Sequence, residues 1–193
     1  MEAAVRMADI CKSFGSIAAN KNVTLSIYKG EILSLLGENG SGKTTLMNIL
    51  SGIYRPDSGA VFVNGEQVSI RSPKDAYALH IGMVHQHFKL VDVLTAAENM
   101  VLGQKRGVTL NMKAVRRSVK DICDRYGFTV DPDKKVYDMS VSEKQTLEIV
   151  KALYRGADIL ILDVLVLVLF LWVTLTNTEF CLLCLVAQLC PTL

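Results

Sequence analysis

The sequence predicts an α/β fold with an added antiparallel segment. Short apolar runs alternate with stretches of helical spacing, a glycine-rich loop follows one of these runs, and an Asn-Gly pair separates two β-prone runs. Alternating strands and helices are typical of domains in which helices pack on a largely parallel sheet, and Asn-Gly is typical of hairpins. The 193 residues allow one domain with a sizeable core and exclude two complete α/β domains.

The first strands and the first helix follow from local periodicity. Residues 23–27 alternate apolar and polar side chains, as a half-buried strand does, and residues 31–36 form the short apolar run of a buried strand. Residues 43–50 carry apolar side chains at helical spacing, and Ser51 and Gly52 predict the end of that helix.

A hairpin and a further strand are predicted next. Residues 61–63 and 67–70 are β-prone and flank Asn64 and Gly65, which is the strongest short-range signal for a hairpin. Residues 81–85 form another short strand candidate. The hairpin supplies the antiparallel segment of the predicted fold.

The second half of the chain is predicted to contain two helices and a strand. Residues 115–126 and 141–154 have the apolar spacing of amphipathic helices. Residues 159–162 form an apolar strand that ends in Asp163. These elements complete the alternating order on which the α/β prediction depends.

Composition and charge limit the class of protein. Half of the residues are hydrophobic and 21% are charged, which excludes a disordered chain and a coiled coil. The net charge of +2 gives no reason to expect nucleic acid as a partner. The first 15 residues contain no apolar run of the kind found in secretory signals, and the five cysteines do not make a disulfide scaffold.

The composition changes abruptly after Asp163. Residues 164–193 contain no Lys or Arg, one acidic residue (Glu179) and 22 apolar residues among 30, whereas residues 1–163 carry all 21 basic and the other 18 acidic side chains. We therefore divide the chain into residues 1–163, with the composition of a soluble globular domain, and an apolar tail, residues 164–193.

The glycine-rich loop has the spacing of a phosphate-binding loop, because it fits G-x-x-x-x-G-K-[ST] at every fixed position. Glycines let the main chain wrap closely around an anion, and the N–H groups of the loop and the following helix point at it. The lysine supplies a positive charge for the β- and γ-phosphates, and the threonine hydroxyl is a ligand for Mg²⁺. The predicted nucleotide-binding residues are Gly37, Glu38, Asn39, Gly40, Ser41, Gly42, Lys43 and Thr44.

Asp163 is the predicted acidic partner of this loop. The apolar strand over residues 159–162 delivers its carboxylate at the carboxyl end of the strand, where α/β sheets place their ligands. Apolar strands also end in Asp because Asp forms turns. Beside the phosphate-binding loop, however, we expect Asp163 to hold Mg²⁺ through water, as a Walker B aspartate does.

Three further segments resemble, in order and spacing, parts of the ATP-binding cassette subunits of ABC transporters. Residues 12–15 resemble the A-loop, in which Phe14 would stack on adenine; the alternative is a core aromatic at a strand end. Residues 84–88 resemble the Q-loop, and the resemblance assigns to Gln86 a contact with Mg²⁺ and water, against the alternative of a solvated loop glutamine. Residues 138–145 resemble the signature segment, which contacts ATP across a dimer.

The resemblance completes the set of predicted site residues. Ser140 and Glu143 also form a capping box for the predicted helix over residues 141–154, a local role compatible with anion binding. The resemblance implies catalytic roles for Gln86 and Asp163, with Thr44 joining them as a metal ligand. The further nucleotide-binding residues that it implies are Phe14, Thr45, Ser140, Ser142 and Gln145.

The resemblance covers about residues 4–163 and is closest to importers of simple sugars and nucleosides. It implies a P-loop NTPase-like core sheet with an added antiparallel β subdomain and a helical subdomain, truncated after the Walker B strand. It also implies ATP and Mg²⁺ as cofactors, with membrane-spanning permease subunits and a second cassette domain as partners. The implied function is to couple ATP binding and hydrolysis to import, at the cytoplasmic face of the membrane.

The sequence departs from the family pattern in the signature segment and after the Walker B strand. Ser142 stands where the family has glycine, and Thr146 where it has arginine. Val164 stands where the family has its catalytic glutamate, which leaves open an ATP-binding remnant with negligible hydrolysis. A GTPase or kinase is a further alternative, which the Q-loop and signature segments disfavour. No histidine occupies the later switch position, because all three, His80, His85 and His87, lie near the Q-loop.

The tail over residues 164–193 has three interpretations. The abrupt loss of basic residues favours a frameshifted or chimeric sequence joined to a cassette fragment. A membrane segment is the second, although Asn177 and Glu179 interrupt it. The third is a substitute core strand and helix, consistent with high β-propensity. The spacing of Cys181, Cys184 and Cys190 does not favour a metal site.

Overall fold

The computed structural model describes residues 3–85, 87–103, 111–164 and 167–172. They form two compact units: the described residues before position 87 and after 155 make the first, and those from 87 to 155 make the second. Among these residues no helix has both the length and the apolar character needed to cross a membrane. Gln86, the three cysteines of the tail, and most of the proposed tail helix or membrane segment lie outside the described residues.

Strands and helices are interspersed along the chain, which confirms the α/β class, although runs of strands and of helices interrupt the predicted alternation. The first unit contains β1 (Ala3–Phe14), β2 (Ile17–Tyr28), β3 (Ile32–Leu36), α1 (Lys43–Leu50), β4 (Ser58–Val63), β5 (Glu66–Val68), α2 (Pro73–Ala78), β6 (Ile81–Val84), β7 (Ile159–Val164) and β8 (Leu167–Trp172). The second unit contains α3 (Ala96–Val101), α4 (Met112–Tyr126), a 3-10 turn (Val136–Asp138) and α5 (Val141–Tyr154).

An antiparallel sheet in the order β2-β1-β4-β5 forms one part of the first unit. Asn64 and Gly65, between β4 and β5, have φ angles of 50° and 83°. Two consecutive positive φ angles are what a two-residue type I′ hairpin requires. The predicted hairpin is therefore confirmed, and the long β1–β2 pair extends it to a four-stranded sheet.

The second sheet of this unit is mixed and has the order β3-β8-β7-β6. β6 pairs with β7 in parallel, as expected for an α/β core, whereas β8 runs antiparallel to both β7 and β3. The sheet therefore does not stop at the strand that ends in Asp163, because residues 167–172 of the tail add a strand between β7 and β3. This is the strand that the third interpretation of the tail expects.

β3 is less buried than its apolar sequence predicts. Leu33 and Leu35 pack against the core, but Leu36 is 76% exposed. Side chains alternate between the two faces of a strand, so Leu36 lies with Ser34 on the face opposite Leu33 and Leu35, and at the edge of the sheet that face is exposed. The prediction of a strand over residues 31–36 is confirmed, and the prediction that it is buried is wrong.

The core of the first unit is built by both sheets and by α1, which has the predicted bounds. α1 begins after Gly42 and ends at Ser51, and it buries its apolar face as its spacing indicates. The buried cluster consists of Val5, Met7, Ile10, Ile27, Leu46, Met47, Ile49, Leu50, Val61, Val63, Ile70, Ala76, Ile81, Ile159 and Ile161.

Side-chain caps set the helix starts of the second unit. The Asn111 side chain accepts the Ala114 N–H, so α4 starts three residues before the predicted start at Val115. The predicted capping box of α5 is confirmed. Ser140 N–H donates to the Glu143 carboxylate at 2.8 Å, and Glu143 N–H donates to the Ser140 hydroxyl at 3.2 Å.

We predict that Gly59→Ala destabilises the first unit more than Gly65→Ala does. Both glycines have positive φ, 98° and 83°. A Cβ at Gly59 would lie 2.6 Å from the carbonyl oxygens of Ala8 and Asp9, whereas one at Gly65 meets nothing within 4 Å. We expect losses in the free energy of unfolding of about 3 and about 1 kcal/mol, measured by urea denaturation. Equal losses would contradict the close approach of β4 to β1.

We predict that Glu143 makes the stability of the second unit depend on pH between about 4.5 and 2. The Lys134 ammonium, 2.7 Å from its carboxylate, and the Ser140 N–H lower the pKa of Glu143 from 4.5 to about 2. The stabilisation is therefore complete above pH 4.5 and is lost as the pH falls towards 2. Glu143→Gln should remove this dependence, with an effect below about 1 kcal/mol because the pair is screened by solvent. The prediction is refuted if the free energy of unfolding of wild type and Glu143→Gln changes equally with pH between about 4.5 and 2.

Candidate functional site

The loop between β3 and α1 is fixed through its main chain. Ser41 N–H donates to the Glu38 carbonyl at 3.1 Å, and Gly42 has a φ of 88°. A Cβ on Gly42 would overlap the Ala19 carbonyl oxygen of β2, so this approach requires glycine. The Asn20 side-chain amide donates to the Gly42 carbonyl at 3.2 Å. The predicted phosphate loop therefore rests directly on β2.

The first turn of α1 has no side-chain cap. Gly42 precedes this helix, whereas each of the other four α-helices in the described ranges begins after a capping Ser, Thr or Asn. The first amides of a helix have no partner within it and carry the positive end of its dipole. The amides of Lys43, Thr44 and Thr45 therefore face no competing cap, which is the condition for binding a phosphate.

The ammonium group of Lys43 is directed into the loop. Its Nζ donates to the carbonyl oxygens of Gly37 at 2.6 Å and Glu38 at 2.9 Å, and to the Ser41 hydroxyl at 3.2 Å. A Cβ on Gly37 would lie 2.9 Å from the Ser41 hydroxyl oxygen, so glycine leaves room for this arrangement. The loop thus holds a positive charge beside the open amides of α1.

Thr44 and Asp163 come together, as expected of two metal ligands. A hydrogen bond joins the Thr44 side chain to the Asp163 carboxylate. Burial raises the pKa of Asp163, while the charge of His85, this hydrogen bond and the charge of Lys43 oppose the rise. Hydroxyl and carboxylate oxygens are ligands that Mg²⁺ prefers, and a divalent cation favours the ionised carboxylate. The two side chains therefore fit a magnesium ion.

A cavity of about 300 Å³ connects these groups. β2 contributes three lining residues that sequence reasoning missed, because they adjoin the loop only through the packing of β2 against Gly42, which has no local sequence signal. Thr45, assigned by resemblance, also lines the cavity. The lining residues are Ile17, Ala18, Ala19, Asn39, Gly40, Gly42, Lys43, Thr44, Thr45 and Asp163.

Phe14 packs against another aromatic side chain of the first unit. Its ring lies edge-on to Tyr54 with the centroids 5.1 Å apart, and the Lys12 ammonium lies 5.5 Å from the centroid of the Phe14 ring. The ring is still 43% exposed, and it is not among the residues that line the cavity. Stacking on adenine therefore stays a prediction for Phe14.

The signature residues lie at the start of α5 in the second unit. The Ser140 hydroxyl caps the helix, Ser142 is exposed, and Gln145 follows within the second turn. Thr146 is buried, and its hydroxyl donates to the Ser142 carbonyl at 3.0 Å. The contact of Ser140, Ser142 and Gln145 with nucleotide stays a prediction, as does the role of Gln86.

The residue after Asp163 is part of a strand. Val164 is the last residue of β7, and its main chain is paired with Leu167 of β8. A valine side chain cannot accept a proton from water, so the residues predicted to bind phosphate are present without a carboxylate at position 164.

The chain matches the family described as "ABC transporter" over residues 20–164. It is 50% identical over 164 residues to the nucleoside import ATP-binding protein NupA of Lactococcus lactis subsp. cremoris, covering 84% of this chain and 32% of that protein. It is 52% identical over 165 residues to the guanosine import ATP-binding protein NupO of Bacillus subtilis, again covering 84% and 32%. The chain thus spans about a third of the length of these relatives.

Solved structures agree on the fold. A nucleotide-free ATP-binding cassette from an ABC transporter matches with a TM-score of 0.72 and 24% identity, over 84% of this chain and 69% of that one. A dimeric ATP-binding cassette in a post-hydrolysis state, bound to ADP and Pi, matches with a TM-score of 0.67 and 28% identity, over 82% and 73%. With the phosphate loop, the family match and these structures in agreement, the chain belongs to the ABC transporter ATP-binding family.

Proposed function

We propose that the chain binds MgATP in the cavity beside α1, as the nucleotide-binding part of an importer of nucleosides or simple sugars. The observation that carries the proposal is the convergence of the uncapped helix start, Lys43 and the Thr44–Asp163 pair on one cavity. Relatives named as nucleoside, guanosine and ribose import ATP-binding proteins support the substrate class.

Different residues around the cavity bind the phosphates and the magnesium ion in this proposal. The amides at the start of α1 and the Lys43 ammonium bind the β- and γ-phosphates, and phosphate oxygens replace loop acceptors around Lys43 Nζ. Thr44 and Asp163 hold Mg²⁺, which neutralises phosphate charge when bound. Ile17 and its neighbours on β2 form the wall of the cavity. Binding therefore requires only groups supplied by the first unit.

The remaining contacts of the proposal lie outside the phosphate loop, and some of them need a second chain. Phe14 stacks on adenine, Gln86 reaches Mg²⁺ and water, and Ser140, Ser142 and Gln145 contact the nucleotide of a second cassette domain. Membrane-spanning permease subunits are the other partners, which places the protein at the cytoplasmic face of the membrane as a peripheral subunit. The dimeric relative bound to ADP and Pi supports pairing of cassettes.

A second candidate is an ATP-binding protein with negligible hydrolysis. Val164 favours it, because the main chain at this position is committed to the β7–β8 pair and its side chain has no acid–base group. Loss of a general base costs about 10²–10⁴-fold in rate. The two candidates share the binding site and differ only in turnover.

We also propose that residues 164–193 are of an origin unrelated to the cassette, by frameshift or fusion. The family match ends at residue 164, where the composition changes, and this supports the proposal. The coding sequence around codon 163 tests it. A second reading frame that encodes a glutamate directly after Asp163 is the expected result, and its absence would count against a frameshift.

Lys43→Ala should weaken MgATP binding by at least tenfold, because a charge-assisted bond to phosphate is worth about 1.5–3 kcal/mol. Lys21→Ala, at an exposed position of β2, is the matched control and should leave affinity unchanged. Isothermal titration calorimetry on both variants measures the effect, with urea unfolding to confirm that they fold. Equal affinity of wild type and folded Lys43→Ala would exclude this loop as the nucleotide site.

Val164→Glu should raise ATP turnover about 100-fold if the chain as it stands lacks a general base. Val164→Gln is the matched control, because it has nearly the same shape and cannot accept the proton. Phosphate release at saturating MgATP measures both. Wild-type turnover well above that of Val164→Gln and equal to that of Val164→Glu would instead support the hydrolysing candidate.

A further inference from the structure

The second unit contains a buried charged pair that the proposed nucleotide site does not use. Glu148 of α5 is 6% exposed, and the side chain of Lys151, three residues further on, is 12% exposed. Burial raises the pKa of Glu148 and lowers the pKa of Lys151. Burying charged groups costs free energy unless their hydrogen bonds are satisfied. The hydrogen-bond partners of Glu148 and Lys151 therefore show which part of the chain the pair stabilises.

Both side chains bind the main chain of a single residue. Lys89 N–H donates to Glu148 Oε1 at 2.7 Å, and Lys151 Nζ donates to the Lys89 carbonyl oxygen at 2.7 Å. The carboxylate and the ammonium themselves are 4.0 Å apart. Positions three apart share one face of a helix. The main chain of Lys89 therefore lies between the two side chains and is clamped at both its N–H and its carbonyl.

Two more side chains hold the segment that follows Gln86, residues 87–102, at positions after Lys89. Asn99 of α3, fully buried, accepts the Val91 N–H at 2.8 Å and donates to the carbonyls of Val91 at 3.1 Å and Thr95 at 3.0 Å. Arg155, at the end of α5, donates to the Leu102 carbonyl at 2.9 Å. Because these side chains also hold the chain at Val91, Thr95 and Leu102, the residues that follow the clamp cannot move locally when Lys89 is displaced.

We propose that Glu148 and Lys151 are positioning residues that hold the segment following Gln86 against α5, the helix at whose start the signature residues lie. The segment starts directly after Gln86 in the sequence, and α5 starts at Val141. A movement of this segment therefore moves α5. The inference rests on the proposed function, since Gln86 is the residue expected to respond to Mg²⁺ and nucleotide.

Hydrogen exchange of the full chain tests the clamp without nucleotide. Glu148→Leu removes the acceptor of the Lys89 N–H, and the exchange of that amide should accelerate by about tenfold or more. Glu148→Gln keeps an acceptor oxygen and should retain the protection. Equal exchange of the Lys89 amide in wild type and Glu148→Leu would overturn the clamp.

The coupling role is tested by adding MgATP. Wild type and Glu148→Gln should change the exchange of the amides at 141–147, whereas Glu148→Leu should not, although its Kd for MgATP stays within twofold of wild type. Lys151→Met, with Lys151→Arg as its conservative partner, repeats the test should Glu148→Leu not fold. A merely structural role would not separate nucleotide affinity from this response.

Two results would overturn the coupling role. One is wild type that binds MgATP with no change at 141–147; the other is a folded Glu148→Leu that keeps the change. Wild type that fails to bind MgATP would instead refute the proposed function, and the coupling role with it. The Lys89 exchange measured without nucleotide would still decide whether the clamp exists.

Discussion

Main-chain contact between Gly42 and β2 sets the geometry of the phosphate loop, because no Cβ fits between Gly42 and the Ala19 carbonyl. The Gly42 carbonyl accepts two hydrogen bonds, one from the Leu46 N–H that opens α1 and one from the Asn20 side chain. The direction of α1, and with it the direction of its open amides, is therefore fixed by the backbone. Lys43 adds charge to a surface that is already shaped for an anion.

The distance between the phosphate loop and Asp163 depends on the strand between them. β3 leads into the loop and β7 carries Asp163, and β8 pairs with both. Its register places Leu167 opposite Leu36 and Val168 opposite Asp163, so one strand of the tail spaces the two halves of the site. An apolar segment of high β-propensity suits this position because both neighbours supply ladder partners. Whatever the origin of the tail, residues 167–172 are part of the sheet that carries the site.

Local sequence signals predict the longer helices, whereas features that depend on contacts between distant segments could not be predicted. α1 and α5 have the predicted bounds because apolar spacing, Gly42 and the Ser140 capping box all act within a few residues. α2 and α3 were missed because each has six residues, too few to show periodicity. The edge position of β3 follows from strand order, and the wall formed by Ile17 follows from the packing of β2 against Gly42; no local pattern of this sequence encodes either. The phosphate loop could be predicted because its chemistry requires fixed residue types at fixed spacing.

Phosphate binding and water activation rest on different parts of this chain, so one can persist without the other. The proposed binding uses main-chain amides, Lys43 and the Thr44–Asp163 pair, all set by the loop and by β7. Water activation in the family pattern needs a carboxylate at the next position, where Val164 pairs with β8 instead. A glutamate there would keep the main-chain pairing, since ladder hydrogen bonds do not depend on the side chain. At position 164 the departure from the family pattern is therefore one of side-chain chemistry, and the main chain that would carry a glutamate is retained.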